Sequence, residues 1–404
     1  MDAATRRQAP LEFDPYSYEV HEDPYPFYAR LRAEAPVYRN ERLGFWALSR
    51  HADVLAAFRD WQHFSSRHGV SLDRDAFHDR ADTTMSFLAM DPPRHDRLRA
   101  LVSRGFTPRR VMALEPHVRA LSRHYLEGFA ERGSCDFIGD FAGKLPMDVI
   151  SEMLGVPPED RATLREWADL VVHREPGVDG LPPAAAQSAL RMLHYFSEML
   201  ADRRRQPRDD LTGALITAEL DGDRLTDHEI IGFLFLMVVA GNETTTKLLG
   251  NAMYWLWRHP GQRDRLRDDP SLLPRWVEET LRYDNSTQAL ARLAICDVEL
   301  HDRKIPAGDR VVLLVGSANR DERVFAEPDR YDLQRDTSAS LSFGQGIHFC
   351  LGASLARLEA RVSLEEVWKR IPDYEIDVTC AARVHSVNVR GFAALPMAFG
   401  RSFR

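Results

Sequence analysis

Cys350 stands in a setting built for close backbone approach. It follows Phe343-Gly344-Gln345-Gly346-Ile347-His348-Phe349 and precedes Leu351-Gly352 and the helix-like run Ala353 to Ala360. Glycine permits positive φ and removes the Cβ obstacle, so backbone N–H groups can crowd the sulfur. The positive end of the following helix then favours a thiolate over a thiol. A thiolate presented this way suits a soft or redox-active iron, and Cys is one of the axial ligands of haem. A free cysteine is otherwise a small buried hydrophobe. The loop is not a dinucleotide fingerprint: after Gly344 and Gly346 the third glycine position is Phe349, and no βαβ pattern surrounds it.

A second polar group interrupts the longest apolar run, Ile230 to Ala240, with Gly241-Asn242-Glu243-Thr244-Thr245. Apolar residues resume at Leu248 to Trp257, so the insert sits midway along one helical stretch. Buried carboxylates are costly unless paired or used, and mid-helix glycine costs roughly 1 kcal/mol against alanine. One account is that the helix emerges into water at Gly241. The other is that Gly241 opens the helix and Thr244 bonds back to the carbonyl of Ala240, leaving a groove for dioxygen or water.

Two further pairs have helical spacing. His95 and Arg99, after Asp91-Pro92-Pro93, share a helix face and can grip one anionic group; they equally suit a solvated basic face. Glu279 and Arg282, within Trp276 to Tyr283, can form an ion pair. On a surface such a pair is worth roughly a few tenths of a kcal/mol.

These residues need a large scaffold, and 44% hydrophobic content over 404 residues supplies a large core. Helical patterns cover Tyr25 to Glu34, Arg50 to Asp60, Arg109 to Arg132, Phe141 to Leu154, Glu159 to His173, Ala184 to Arg205 and Asp227 to Arg258. β-Prone stretches occur at Val37 to Tyr38, Phe45 to Leu48, Ala294 to Leu300, Arg310 to Val315 and in the C-terminal tail. Ser65 to Met90 lacks periodicity and reads as a long loop of the kind that forms lids or binding loops. The Pro/Gly-rich break Glu175 to Pro183 is a candidate hinge. The balance is mainly α with a minor β region. No linker divides the chain, so 1–404 is expected to form a single domain, with 1–12 a flexible N-terminal tail.

A net charge of −8 argues against nucleic acid as a partner. The cysteines (Cys135, Cys296, Cys350, Cys380) form no CxxC pair, which fits a reducing cytosolic setting. No signal peptide opens the chain, and its longest apolar run is too short to span a bilayer. A cytoplasmic protein with no membrane anchor is expected.

The string Phe-Gly-x-Gly-x-His-x-Cys-x-Gly, from Phe343 to Gly352, resembles the haem-binding loop of the cytochrome P-450 family. Ala240 to Thr245 is similar to that family's oxygen-binding segment, with Glu where Asp is also common, and Glu279 to Arg282 to its Glu-x-x-Arg pair. Matches run from about Phe13 to Phe399, including the turn Ile305-Pro306-Ala307-Gly308. Asp321-Glu322 departs from the usual Asp-Pro, which loses a rigid turn and touches no chemistry.

The resemblance implies a triangular, helix-rich fold and a haem-thiolate monooxygenase. Cys350 would be the axial ligand of haem b (iron protoporphyrin IX), with Phe343, Gly344 and Gly352 shaping the loop near the sulfur. His95, Arg99, Arg292 and His348 would hold the propionates. Ala240 would lie over the opposite haem face, where Glu243 and Thr244 relay protons to dioxygen. Glu279 and Arg282 would be structural. Met85, Leu236, Val239, Ala240, Thr287, Asn388 and Val389 would approach a lipophilic small-molecule substrate, with Thr287 and Asn388 able to bond an oxygen, and Glu175 to Pro183 would lie in its lid.

Electrons would come from a separate ferredoxin and ferredoxin reductase, NAD(P)H serving only through them. The ferredoxin would dock on the Cys350 side, where Arg99, Arg104, Arg109 and Arg110 make the surface basic. The protein itself is expected to be a monomer. Two other functions stay open: a peroxide-driven haem peroxygenase, disfavoured by the Glu243-Thr244 pair, and a non-catalytic haem or ligand carrier.

Overall fold

Thr226 starts the element that organises the molecule. Its hydroxyl accepts from the Glu229 N–H while the Glu229 carboxylate accepts from the Thr226 N–H, a reciprocal cap for helix Asp227–Arg258. The computed structural model of the chain describes residues 11–175, 180–220 and 222–400, without the side chain of Arg104. The tail 1–12 thus lies outside the described residues up to residue 10, and so do 176–179 of the expected lid.

Helix Asp227–Arg258 has 32 residues, about 48 Å at 1.5 Å per residue. It is buried along most of its length, because helices Leu145–Leu154, Pro158–Val172, Pro183–Arg205, Leu273–Tyr283 and Ala353–Arg370 all pack against it. The short helix Asp82–Met85 also approaches closely: a Cβ at Gly232 would stand 2.9 Å from the Thr83 carbonyl oxygen. Among the described residues no helix is long and apolar enough to cross a membrane.

The minor β part is set to one side. Five strands pair in the order Val37–Asn40, Phe45–Leu48, Arg310–Leu314, Ala289–Ala294, Phe64–Ser65. Phe45–Leu48 and Arg310–Leu314 run parallel and the other pairs antiparallel. A three-stranded sheet joins Tyr374–Ile376, Pro396–Phe399 and Ser134–Asp136. The architecture is mainly α with small sheets, as expected.

Several expected boundaries are corrected. Arg109 to Arg132 is two helices, Pro108–Ala113 and Glu115–Ala130, because Pro116 has no N–H to continue the ladder. Phe141 to Leu154 begins as a wide turn, Ile138–Ala142, and restarts at Leu145 next to Pro146. The strand expected over Ala294 to Leu300 ends at Ala294, and Val298–Leu300 pairs instead with Arg303–Ile305. His301 and Asp302, both at positive φ, form the two-residue turn that hairpin needs. Ser65 to Met90 is irregular but holds the helical turns Arg74–Ala76, Asp82–Met85 and Ser86–Ala89.

Candidate active site

A cavity of about 220 Å³ lies between helix Asp227–Arg258 and the Cys350 loop. Cys350 opens onto this space, together with Phe343, Gly344, His348 and Gly352.

Hydrogen bonds hold the loop from behind: Cys350 N to the Phe343 carbonyl at 2.9 Å and Gly344 N to the Leu341 carbonyl at 2.8 Å. Gly344 and Gly346 have φ of +68° and +71°. A Cβ at Gly346 would stand 2.6 Å from the Phe58 carbonyl oxygen, so glycine there lets the loop seat on helix His51–Arg59. Burial pushes the Cys350 thiol above its ordinary value, against the Gly352 and Ala353 N–H groups, Arg99 and Arg357. A metal cation at the sulfur would favour the thiolate.

Next to the loop is a set of buried nitrogens without partners. His95 is 1% exposed; its Nδ1 lies 2.8 Å from Asp96 Oδ1, and its Nε2 has no partner. Its ring meets that of His348 at 4.4 Å, and neither His348 nitrogen has a partner in hydrogen-bonding geometry. Arg99 donates to the Phe349 carbonyl at 2.6 Å and leaves Nη1 buried and unpaired. Arg292 is buried in the cavity wall; burial pulls its pKa down to about 10, with only Asp91 opposing. Burial and then the neighbouring Arg292, His95 and Arg99 push His348 down to about 2. Buried donors normally have partners, and an assembly of basic groups that lacks anions fits a ligand carrying carboxylates. Haem is such a ligand: its iron suits Cys350 and its two propionates suit these nitrogens.

The opposite wall is formed by Leu236, Met237, Ala240, Gly241, Thr244 and Thr245. Thr244 Oγ1 donates to the Ala240 carbonyl at 2.7 Å. The helix runs unbroken through Gly241, where a Cβ would meet only the Ile150 side chain at 3.6 Å, so no break opens there. The polar insert does not emerge into water, since Asn242, Glu243 and Thr245 are all buried.

Glu243 is not in the cavity wall. Its Oε2 lies 3.1 Å from Lys247 Nζ, one helical turn on, with both side chains buried. Burial acts to raise the Glu243 carboxyl, but Lys247, Asp169 and Arg165 together hold it below its ordinary value. Asp169, on helix Pro158–Val172, is pushed up by desolvation and by the neighbouring Glu243 carboxylate.

Glu279 and Arg282 form a buried two-pronged pair, with Nε to Oε2 and Nη2 to Oε1 both at 2.8 Å. Of the expected substrate contacts, Leu236, Ala240 and Thr287 line the cavity. Met85, at the end of Asp82–Met85, and Val239 do not. Asn388 and Val389 line a neighbouring cavity near Phe13, His21 and Tyr28, and Val389 forms a β-bridge with Thr287. The Asn388 amide donates to the Val70 and Ala289 carbonyls and accepts from Ser71, which ties down the sheet edge.

Sequence reading missed Phe87, Phe106, Ile150, Ser286 and Glu359 in the main cavity wall. Only Glu359 carried a signal, as a carboxyl in helical register with Gly352, Leu355 and Ala356. The Ser286 hydroxyl is buried and unpartnered.

A cysteine loop, a set of basic groups lacking anions and a helix with a back-bonded threonine enclose one space. The family model for Cytochrome P450 matches residues 184–370. The chain is 56% identical over 388 residues to the putative cytochrome P450 123 of Mycobacterium tuberculosis, covering 96% of each. It is 39% identical over 405 residues to the vitamin D(3) 25-hydroxylase of Pseudonocardia autotrophica, covering 96% of this chain and 97% of that one. The solved structure of CYP109E1 from Bacillus megaterium in complex with testosterone superimposes with a TM-score of 0.88 at 33% identity, over 95% of this chain and all of that one. With fold, loop and near-full-length relatives in agreement, the chain belongs to the cytochrome P450 family, whose members are haem-dependent monooxygenases.

Proposed function

We propose that this protein inserts one oxygen atom of dioxygen into a lipophilic small molecule by hydroxylation or epoxidation, using electrons from a separate ferredoxin and ferredoxin reductase. The observation that carries the reading is the set of unpaired buried nitrogens on His95, Arg99 and His348 beside Cys350. Leaving a buried donor unpaired costs ~1–3 kcal/mol, and haem propionates would accept from Arg99 Nη1 and from the protonated ring nitrogens that face them.

Haem, when bound, supplies the activation of dioxygen, and a thiolate ligand favours O–O cleavage. The chain's residues supply the rest. Cys350 would hold the iron; His95, Arg99, Arg292 and His348 would hold the propionates; Phe343 would shield the sulfur. Thr244, fixed by its bond to Ala240, presents its hydroxyl oxygen to the cavity as a hydrogen-bond acceptor. Glu243 is the acid behind it, kept ionised by Lys247. Phe87, Phe106, Ile150, Leu236 and Leu290 exclude water from the substrate space. Within those apolar walls the free Ser286 hydroxyl and Thr287 suit a ligand with one isolated oxygen, of which a steroid is an example.

Ferredoxin would meet the Cys350 side. Arg109 and Arg110 are exposed on helix Pro108–Ala113, which packs on helix Ala353–Arg370 just beyond the loop. Met112 and Phe349 are exposed apolar residues of the same elements. The cytoplasm is the expected setting for such a partner.

The test is the ferric absorption spectrum of the haem-loaded protein, titrated with steroids, terpenoids, fatty acids and macrolides. A thiolate spectrum that one class shifts from low to high spin supports the reading and identifies the substrate class. No thiolate spectrum after loading overturns it.

A further inference from the structure

Away from the main cavity, the C-terminal end of helix Asp227–Arg258 borders an open cleft of about 440 Å³. Tyr254 and Trp255 of that helix line it, facing Tyr25 and the guanidinium groups of Arg320, Arg383 and Arg390. It shares no lining residue with the main cavity.

The arginines outnumber the carboxylates that pair with them. Asp284, fully buried behind the cleft, is saturated. Its Oδ1 accepts from the Tyr25 hydroxyl at 2.6 Å and Arg390 Nε at 2.7 Å, and its Oδ2 from Trp255 Nε1 at 2.8 Å and Arg383 Nη1 at 3.4 Å. Two guanidinium charges therefore share one carboxylate. Arg390 uses its other nitrogens on the carbonyls of His21 and Glu22. Among the described residues Arg383 has no second hydrogen-bond partner, and burial with Arg390 nearby lowers its pKa. Arg320 is 5% exposed and clamped between the rings of Tyr25 and Tyr283, 3.5 and 3.6 Å from their centroids. Its Nε donates to the Tyr283 carbonyl and its Nη1 to Asp329, whereas Nη2 is buried and unpaired. Glu22 and Asp23 stand exposed at the rim, where water and salt screen them.

Buried donors normally have partners, and a cation short of an anion is costly to bury. The half-buried rings of Tyr254 and Trp255 meet edge-on with 5.0 Å between centroids, and the Arg383 guanidinium lies 5.3 Å from the Tyr254 ring. Aromatic surface beside a guanidinium with free donors matches a flat ring that carries a carboxylate. We propose that this cleft is a second binding site, for a planar aromatic carboxylate, with the ring on Tyr254 and Trp255 and the carboxylate on Arg383 and the unpaired Nη2 of Arg320. The proposal does not depend on the monooxygenase reading, since no residue of the cleft belongs to the haem site.

Calorimetric titration of the haem-loaded protein with 2-naphthoate tests the site. The ferric absorption spectrum is recorded alongside, because a ligand entering the main cavity would change it. Saturable binding that leaves this spectrum unchanged and weakens as salt is raised is expected. The neutral amide of the same ring should bind roughly tenfold or more weakly, because a hydrogen bond to a charged group is lost. Cyclohexanecarboxylate, which keeps the charge without the flat ring, should also bind more weakly. Arg383→Gln should weaken the acid roughly tenfold, and Tyr254→Leu several-fold, with the ferric spectrum retained in both. No binding of the acid at millimolar concentration, equal binding of the amide, a shifted ferric spectrum, or unchanged affinity in the variants would overturn the proposal. Tyr254→Leu breaks no ion pair, so it locates the site even where Arg383→Gln fails to fold.

Discussion

Glu243 and Thr244 are neighbours in sequence and face different spaces: Thr244 lines the main cavity, and Glu243 is buried against Lys247 with 3.1 Å between Oε2 and Nζ. Breaking a buried pair leaves an uncompensated charge and costs ~3–5 kcal/mol. Lys247→Met should therefore raise the Glu243 pKa above its unfolded value. Stability is then least affected at low pH, where Glu243 is neutral, and falls further as pH rises. Urea unfolding at pH 5 and pH 8 should show the larger loss at pH 8. Equal losses at both would mean that Glu243 is not ionised in the native pair.

Thr244→Ala removes the hydroxyl and its bond to Ala240 without changing the helix propensity for the worse. Positioned proton-transfer groups contribute ~10²–10⁴-fold. In the variant, ferredoxin-driven reductant consumption should continue, while product per reductant falls roughly tenfold or more and hydrogen peroxide accumulates. Peroxide assay with the ligand that shifts the ferric spectrum reads this directly. Peroxide-driven turnover that exceeds the ferredoxin-driven rate and ignores the substitution would favour a peroxygenase.

Arg282 does more than pair with Glu279. It also donates to the carbonyls of Asn319 at 2.9 Å and Pro328 at 3.0 Å, and Glu279 accepts from the Asp332 N–H at 2.9 Å. The pair thus ties helix Leu273–Tyr283 to the segment that leads into the cysteine loop. Arg282→Ala should cost ~3–5 kcal/mol, as for other broken buried pairs, and lower haem retention. Arg282→Lys should recover little, since one ammonium cannot span the carboxylate and reach the carbonyls. Thermal unfolding and haem content after gel filtration measure both effects.

Much of this site was legible because its chemistry is local. The Cys350 loop carries its own turn residues, Thr244 reaches only one turn back, and Glu279 and Arg282 share one helix face. The side to which Glu243 turns was not legible, because helix Pro158–Val172 and Lys247 decide it through tertiary packing. Asn388 looked free to bond a substrate, but backbone carbonyls distant in sequence take its amide. Helix breaks at Pro116 and Pro146 were in plain view; apolar periodicity across them masked the missing N–H groups. Unpaired buried nitrogens such as His95 Nε2 are a property of the assembled fold alone.

His21 makes stability sensitive to mild acid. It is 7% exposed, with Nε2 2.8 Å from the Pro15 carbonyl oxygen. Burial, with His385 and Arg390 nearby, lowers its pKa from 6.5 to about 4. A histidine held neutral in the fold contributes stability above its unfolded pKa, and that contribution is lost as pH falls toward 4. Between pH 7.5 and 5 the loss is about 2 kcal/mol. His21→Gln keeps a donor for Pro15 and removes the titration. Urea midpoints should fall less for the variant than for the wild type over this range; parallel profiles would assign the acid sensitivity to other groups.

Arg109 and Arg110 carry the electrostatic side of electron delivery. Both are exposed on Pro108–Ala113 in a chain of net charge −8, so they form a local basic surface against an acidic background. Such a surface steers an acidic partner and raises association rates by ~10–10³-fold at low salt. Reversing both to Glu should slow ferredoxin-supported reduction about tenfold at 0.05 M salt. The Debye length falls from ~10 Å at 0.1 M to ~3 Å at 1 M, so the deficit should nearly vanish at high salt. The thiolate spectrum and substrate-induced spin shift should not change, because neither arginine lines the cavity. Stopped-flow reduction across a salt series separates the outcomes. A deficit independent of salt would mean a direct contact and no steering, and an unchanged rate would place the ferredoxin on another face.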